Sequence, residues 1–248
     1  MKMAMDAEES GRGAAGACLV SIGSRVVALI ALVILGPLML IVATAIVVDS
    51  GFPVLFQQER IGVQGRRFWM FKFRKFHASV GRNTRPLTLV NDSRCTRIGR
   101  LLARTKLDEL PQLWNVVRGD MAIVGPRPEV PDFADCFAGP WRALLDYRPG
   151  IFGPSQVLFH AEASCYPQDQ PLRRFYCEVL FPAKAALDLA YYPTWSMVQD
   201  LCWVFRGILA VCGAETPLVR RYRWIVPLSG SEVHRADAQV KERVIEEL

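Results

Sequence analysis

The stretch Val26–Val48 reads VVALIALVILGPLMLIVATAIVV, an apolar run without a charged residue and with Gly36-Pro37 at its centre. As a helix rising about 1.5 Å per residue, the run can cross the roughly 30 Å hydrocarbon layer of a bilayer. Pro37 removes a helical hydrogen bond and clashes with the preceding turn, which predicts a bend. A bent helix enters one leaflet and returns, whereas a straight helix spans, and membrane helices tolerate proline. These residues alone leave both topologies open.

The flanks of the run indicate a retained anchor. Arg25 precedes the run, and six basic residues follow it: Arg60, Arg66, Arg67, Lys72, Arg74 and Lys75. Because both flanks are basic, the positive-inside rule does not favour a spanning helix. The run is too long for a signal-peptide core, and no small-residue cleavage pattern follows it. Met1–Gly16 is polar and rich in Gly and Ala, so we predict that segment 1–24 is disordered.

Length and composition bound the rest of the chain. The 248 residues suit one membrane segment (25–50), one catalytic domain (51–212) and a charged C-terminal extension (213–248). The net charge of +6 favours anionic partners, namely phospholipid headgroups, phosphorylated substrates or nucleic acid. The seven cysteines are scattered without a Cys-x-x-Cys pair. We therefore expect no disulfide framework and no zinc site, and a domain that faces a reducing cytoplasm.

Arg67–Phe76 alternates aromatic and basic side chains. One interpretation is a half-buried strand whose polar face points toward a site. Another is an interfacial segment with aromatic and basic groups at headgroup level. Such interleaving also binds single-stranded nucleic acid, but no aromatic-glycine RNA-binding pattern lies nearby, so we expect no nucleic-acid partner.

A basic stripe precedes the central motif. The stretch Asn91–Leu102 is predicted to open a helix, capped by Asn91, Asp92 or Ser93. Its arginines recur at helical spacing on one face: Arg97, Arg100 and Arg104. The stripe is either a solvated face or an anion-binding surface that leads into the motif.

The motif Lys106–Asn115 reads KLDELPQLWN. Proline is tolerated only in the first turn of a helix, so Pro111 predicts a helix that begins near Leu107. Asp108 and Glu109 then lie at its N-terminus, where the dipole favours ionised carboxylates and free N–H groups bind phosphate. Two adjacent acids also hold a divalent cation. Acids in a first turn serve stability alone in many helices, and this alternative stays open.

A second motif follows shortly after the first. Met121–Val124 is predicted to be a buried strand, and Gly125-Pro126-Arg127-Pro128 a stiff turn, because each proline fixes its own φ and restricts its neighbour. Arg127 is then held with little backbone freedom, so its guanidinium either forks onto phosphate or is an ordinary surface arginine.

With both motifs, the sequence resembles the bacterial sugar transferases that make polyprenyl-diphosphate sugars, the monotopic phosphoglycosyl transferases. The resemblance runs from about residue 25 to about residue 212. The matching stretches are 57–62, 72–74, 96–100, 107–116, 119–129, 148–154 and 188–192. The order and short spacing of Leu-Asp-Glu-Leu-Pro-Gln-Leu and Gly-Pro-Arg-Pro are highly specific, although each motif alone is weak.

The resemblance implies a mechanism and a site. Asp108 is implied as the nucleophile that attacks a nucleotide sugar, expected to be a UDP-sugar, and forms a phosphosugar-enzyme intermediate. Polyprenyl (undecaprenyl) phosphate then accepts the phosphosugar, which starts a surface glycan or exopolysaccharide. Glu109, with Asp108, is implied to hold Mg²⁺. The expected phosphate-binding cations are Lys72, Arg74, Arg97, Arg100, Arg104 and Arg127. A catalytically inactive scaffold for polysaccharide-assembly proteins is the alternative function.

The resemblance also implies an α+β, mostly helical, monotopic membrane enzyme, with a re-entrant helix broken at Gly36-Pro37 and interfacial amphipathic helices. It implies a location in the bacterial inner membrane with the catalytic domain facing the cytoplasm. A homodimer stays open. The chain departs from the family pattern in four places: Gly36 replaces a serine, Ala103 a basic residue, Lys106 a small polar residue, and Lys75-Phe76 a small residue and methionine. The apolar residues of 195–211 predict either a core helix or an interfacial helix.

Overall fold

The computed structural model describes residues 2–80, 92–160, 162, 166, 171–194 and 196–212. The predicted C-terminal extension 213–248 lies outside these residues. The α-helices are α1 Lys2–Ser50, α2 Arg97–Thr105, α3 Gln112–Arg118, α4 Pro154–Leu158, α5 Leu172–Phe175, α6 Phe181–Tyr191 and α7 Met197–Val211. The strands are β1 Leu55–Ile61, β2 Arg67–Phe73, β3 Ala122–Val124 and β4 Gly150–Phe152. The prediction of a mostly helical α+β fold is confirmed.

Helix α1 is continuous from Lys2 to Ser50, with Pro37 inside it. Segment 1–24, which we predicted to be disordered, is therefore helical from Lys2 onward. A helix that is already nucleated extends at low cost, and the alanines of this segment favour extension. Its Ser21–Ser50 part is long and apolar enough to cross a membrane, with a mean hydropathy of 3.0.

One side of α1 packs against the rest of the protein at both ends of the apolar run. Near the start, Ala28 is buried against Val116 and Met121. Near the end, Ile46 is buried against Leu102. The other side leaves large apolar side chains exposed: Val26, Val27, Leu29, Ile30, Val33, Ile34, Leu40, Ile41 and Val48. In water this exposure is unfavourable, so the helix has the surface of a lipid-facing element.

Strands β1 and β2 form an antiparallel pair in which Leu55 lies opposite Phe73 and Ile61 opposite Arg67. This confirms the strand interpretation for the first part of Arg67–Phe76. The other edge of β2 is closed by Asn115 of α3, whose Oδ1 accepts from the Phe71 N–H at 3.0 Å. Its Nδ2 donates to the Trp69 carbonyl at 2.7 Å. The fully buried Asn115 thus fixes α3 against β2.

Strands β3 and β4 form a short parallel pair that joins the two proline-rich turns of the chain. Ala122 lies opposite Gly150, and the Gly125 N–H donates to the Phe152 carbonyl at 2.9 Å. A Cβ on Gly150 would overlap the backbone of Gly125, so glycine is required at this close approach. The predicted strand before the Gly-Pro-Arg-Pro turn is confirmed, and its partner strand fixes the turn.

The largest core cluster lies behind this turn. It joins α6, the π-helical turn Tyr176–Leu180 and the 3₁₀ segments Pro131–Phe137 and Gly139–Asp146. Helix α7 buries Trp203 against Tyr191 and Tyr192, while its opposite face exposes Met197, Val198, Leu201, Phe205 and Ile208. The helix is thus amphipathic, with one face in the core and one apolar face exposed.

Candidate active site around Asp108 and Glu109

The two acids lie in a 3₁₀ turn, Leu107–Glu109, which is followed by α3. The predicted start near Leu107 is correct for this turn, but the α-helix itself begins only at Gln112. Pro111 is the reason, since it has no N–H to donate to Leu107. The Leu110 N–H instead bonds the Leu107 carbonyl at 3.3 Å. Lys106 enters the turn in the left-handed conformation, with φ of 54°.

Glu109 is held by two cations from distant parts of the chain. Lys72 Nζ on β2 donates to Glu109 Oε1 at 2.9 Å, and Arg127 Nη2 lies 3.4 Å from the same oxygen. Burial alone would raise the pKa of Glu109, but Lys72 and Arg127 hold it well below its usual range. Burial also lowers the pKa of Lys72 to about 8, against the pull of Glu109. Glu109 is therefore an ionised, fully compensated carboxylate.

Asp108 differs sharply from its neighbour. It is only 2% exposed, and its one ion pair among the described residues is with Lys75, whose Nζ lies 4.0 Å from Asp108 Oδ2. Burial raises the pKa of Asp108, although Lys72 and Lys75 oppose this rise. The sequence argument that a helix start keeps this carboxylate ionised was therefore incomplete, because it ignored desolvation. The neighbouring lysines, not the helix dipole, supply the main compensation.

The acid pair fits a divalent cation. Asp108 Oδ1 is buried and has no hydrogen-bond partner among the described residues, and the bonds of Glu109 converge on one oxygen, Oε1. Carboxylate oxygens with unused lone pairs are the ligands that Mg²⁺ prefers. The predicted assignment of Mg²⁺ to Asp108 and Glu109 is thus chemically reasonable and stays a prediction.

The predicted phosphate-binding residues do not all meet at the acids. Arg74 is buried and donates through Nη2 to the Ser50 and Gly51 carbonyls, at 3.0 and 2.6 Å, so it caps the end of α1. These contacts give Arg74 a structural role and lend no support to its predicted one. Lys72 and Arg127, in contrast, reach Glu109 as described above.

The basic stripe lies on α2 as predicted, but the helix begins later than predicted. Its N-cap is Thr96, whose Oγ1 accepts from the Gly99 N–H at 2.9 Å. Asp92, one of the predicted caps, instead bonds Arg94, and Asn91 lies outside the described residues. The members of the stripe are solvent-exposed: Arg97, Arg100 and Arg104. Among the described residues, none of them forms a hydrogen bond or ion pair with Asp108 or Glu109. Their role stays a prediction.

A buried polar layer behind Arg127 was missed by the sequence analysis. Arg60 donates to the Pro128 carbonyl at 2.9 Å and so fixes the turn that carries Arg127. Lys184 lies 3.6 Å from Glu129 and 3.1 Å from Glu162. The only available signal was the glutamate that follows the Gly-Pro-Arg-Pro motif, because the partners come from remote segments.

This layer borders a small pocket between the Gly-Pro-Arg-Pro turn and α6. Its walls include Gly62, Arg127, Ser155, Lys184 and Asp188, but neither Asp108 nor Glu109. Arg127 thus stands between the acids on one side and the pocket on the other.

The comparisons with known proteins place the chain in a family. Residues 18–214 match the model of the family described as bacterial sugar transferase. An exopolysaccharide production protein, ExoY, from Sinorhizobium fredii is 33% identical over 203 residues, which are 75% of this chain and 82% of that protein. A UDP-glucose:undecaprenyl-phosphate glucose-1-phosphate transferase from Xanthomonas campestris pv. campestris is 35% identical over 202 residues, 77% of this chain.

A UDP-N-acetylgalactosamine-undecaprenyl-phosphate N-acetylgalactosaminephosphotransferase from Aeromonas hydrophila is 38% identical over 190 residues, 74% of this chain. The matched parts are 38% of the Xanthomonas protein and 41% of the Aeromonas protein, so this chain spans well under half of their length. The family match covers both acid-bearing and arginine-bearing motifs and most of the described fold. The chain belongs to the bacterial sugar transferase family.

Proposed function

We propose that this protein transfers a sugar-1-phosphate from a UDP-sugar to undecaprenyl phosphate, as the first step of a surface glycan or exopolysaccharide. The observation that carries the proposal is the buried Asp108 carboxylate, which faces Lys75 beside the compensated Glu109. Relatives that are named for this reaction with UDP-glucose or UDP-N-acetylgalactosamine support the substrate class.

The reaction runs through two displacements at one phosphorus. Asp108 Oδ2 attacks the sugar-bearing phosphorus, the bond to the bridging oxygen breaks, and the nucleoside monophosphate leaves with that electron pair. A phosphosugar ester on Asp108 results. A phosphate oxygen of undecaprenyl phosphate then attacks the same phosphorus and releases Asp108 as a carboxylate. Burial of Asp108 excludes water, which would hydrolyse the ester.

The neighbours of Asp108 prepare this attack. Lys72 and Arg127 fix Glu109, and Glu109 in turn lies beside Asp108 in one rigid turn. Arg127 also borders the pocket, and its planar guanidinium suits a phosphate group of the donor. Mg²⁺, when bound by Asp108 and Glu109, supplies a Lewis acid that neutralises charge developing on the phosphate oxygens.

We also propose a re-entrant, monotopic topology for the apolar part of α1. Before the run, Arg148 Nη1 donates to Ser21 Oγ at 2.8 Å, and the Arg25 guanidinium lies against Gly119. After the run, Asp49 Oδ2 accepts from the Ile98 N–H at 3.1 Å. Both polar ends thus contact the same domain, which supports their lying on one side of the bilayer. A spanning helix would separate them by the hydrocarbon layer.

The site lies at the height of the membrane in this arrangement. Leu107 and Leu110, which flank the acids, pack in the cluster formed around Val42 and Ile46 of α1. The exposed apolar face of α7 suits an interfacial position, with its hydrophobic side chains in the headgroup and acyl boundary. A lipid phosphate acceptor then needs no transport to reach Asp108. The proposed location is the cytoplasmic side of the bacterial inner membrane.

The test is an assay of membrane fractions against a panel of nucleotide sugars, which reads release of nucleoside monophosphate. Release with one sugar, and formation of an undecaprenyl-linked product when undecaprenyl phosphate is added, is the expected result. An inactive scaffold would release no monophosphate with any donor in either condition. Wild-type membranes and membranes with Asp108→Asn form the matched pair.

A further inference from the structure

The cations around the acids differ in how many hydrogen bonds and ion pairs they already form with other protein groups. Lys72 and Arg127 are both bound to Glu109, and Arg74 caps α1. Lys75 is different, since among the described residues its only ion pair is the one with Asp108. At 4.0 Å this pair is too long for a hydrogen bond. The ammonium group of Lys75 therefore keeps its donors available for a ligand.

The backbone of Lys75 is held firmly, although its side chain is available. The Thr96 N–H donates to the Lys75 carbonyl at 3.0 Å, at the N-cap of α2. A Cβ on Gly99 would overlap that same carbonyl, so the first turn of α2 rests directly on Lys75. The Nζ atom also lies 5.3 Å from the centre of the Phe76 ring. The backbone of Lys75 is thus held by α2, and its ammonium group lies near the Phe76 ring.

The exposure of the two side chains indicates from which side a ligand reaches Asp108. The Lys75 side chain is 21% exposed, whereas the Asp108 side chain is 3% exposed. An anion that approaches Asp108 from solvent therefore meets the lysine beside it. Two anions cannot approach closely unless a cation compensates them, because the nucleophile and the phosphate are both negative.

We propose that Lys75 is a catalytic residue of the transfer, and that its ammonium group binds the non-bridging oxygens of the phosphoryl group while Asp108 attacks it. This inference rests on the proposed function. The bond from Asp108 Oδ2 to phosphorus forms, the bond to the bridging oxygen breaks with its electrons leaving on the monophosphate, and Lys75 keeps its protons. On the phosphosugar intermediate, Lys75 remains paired with the phosphoryl oxygens in place of the carboxylate.

The first test is single-turnover release of nucleoside monophosphate by three variants. Lys75→Met should slow release by about 100-fold or more, the usual effect of losing one group that stabilises developing charge. Lys75→Arg should restore part of the rate. Arg66→Met is the control, because Arg66 is exposed and its side chain forms no ion pair among the described residues; it should stay within about threefold of wild type. A Lys75→Met rate within threefold of wild type overturns the inference.

The second test needs no sugar donor. Beryllium fluoride with Mg²⁺ mimics a phosphoryl group on an aspartate, so it should raise the thermal unfolding temperature of the purified full-length wild type and of Arg66→Met. The increase should vanish in Asp108→Asn and in Lys75→Met. An equal increase in Lys75→Met, or none in wild type, overturns the inference. A Lys75-dependent increase in an enzyme that turns over no nucleotide sugar would overturn the proposed function alone.

Discussion

Lys72 Nζ lies 2.9 Å from Glu109 Oε1, and this buried ion pair joins strand β2 to the acidic turn 37 residues later. The pair separates the roles of two adjacent acids. Glu109 is neutralised by protein cations and stays in place, while the one ion pair of Asp108 among the described residues is the longer one with Lys75. Adjacent residues of one turn thus become a fixed group and a reactive group.

Asp108→Asn should abolish transfer while the protein still folds and inserts into membranes. The substitution keeps the size of the side chain but removes the attacking charge, and loss of a nucleophile lowers turnover by several orders of magnitude. The measurement is monophosphate release, together with thermal unfolding of the purified variant. Because burial raises the pKa of Asp108, the variant should be no less stable than wild type. Near-normal turnover by the folded variant would disprove the mechanism.

Arg127→Lys should impair the reaction although it preserves charge. A planar fork that reaches Glu109 and the pocket at once is replaced by a point charge on a flexible stem. We expect a loss of about 10-fold or more in kcat/KM, which corresponds to about 1.4 kcal/mol or more. Arg118→Lys is the control, because Arg118 is half-exposed and paired with Asp120 away from the acids. Equal activity of both variants would show that Arg127 does not fork onto the substrate.

Pro37→Leu should shift part of the population to a spanning topology and lower activity. Leucine restores the helical hydrogen bond that proline prevents, which favours a straight helix. The measurement is accessibility of a single cysteine placed at Gly13, in a background without Cys18, to reagents on each side of the membrane. Val33→Leu, at an exposed position of the same helix, is the control. Periplasmic labelling of the single-cysteine protein that retains Pro37 would show that the helix spans.

Asn115→Ala should destabilise the protein by about 2–4 kcal/mol, since it leaves buried backbone groups of β2 without partners. The affected groups are the Phe71 N–H and the Trp69 carbonyl. Chemical unfolding of the purified protein in detergent measures the change. Trp114→Ala, at the neighbouring half-exposed position, should cost much less. A loss below that of Trp114→Ala would show that Asn115 does not hold β2.

The contribution of Asp188 to stability should fall as the pH rises from about 4 to about 7. Burial raises the pKa of this carboxyl from 3.8 to about 7, against hydrogen bonds from Ser155 and the charge of Lys184. The folded state therefore binds more protons than the unfolded state over this range, and the stabilisation present below pH 4 is lost by about pH 7. The full effect is on the order of 4 kcal/mol. Unfolding measured across this range should show a flatter profile for Asp188→Asn, and an unchanged profile would contradict the assignment.

Much of the site was predictable from local sequence. Pro111 predicts a helix start near Leu107, and one of the two interpretations of Arg67–Phe76 is a strand; the structure has a 3₁₀ turn at the first and a strand in the second. Each depends on the covalent geometry of a few neighbouring residues. The missed features depend on distant partners. Thr96 caps α2 in place of the predicted caps, because Thr96 is the residue whose backbone bonds Lys75.

The sequence by itself therefore determined the apolar segment, the acid pair and the rigid arginine, because periodicity, proline geometry and residue chemistry act over a few positions. Only the tertiary structure decided which cation forms an ion pair with which acid. Lys72 and Arg127 converge on Glu109, Arg74 is used at the end of α1, and Lys75 remains for Asp108. The physical reason is that Coulomb and desolvation energies depend on distance and burial in three dimensions, and spacing along the chain does not give either.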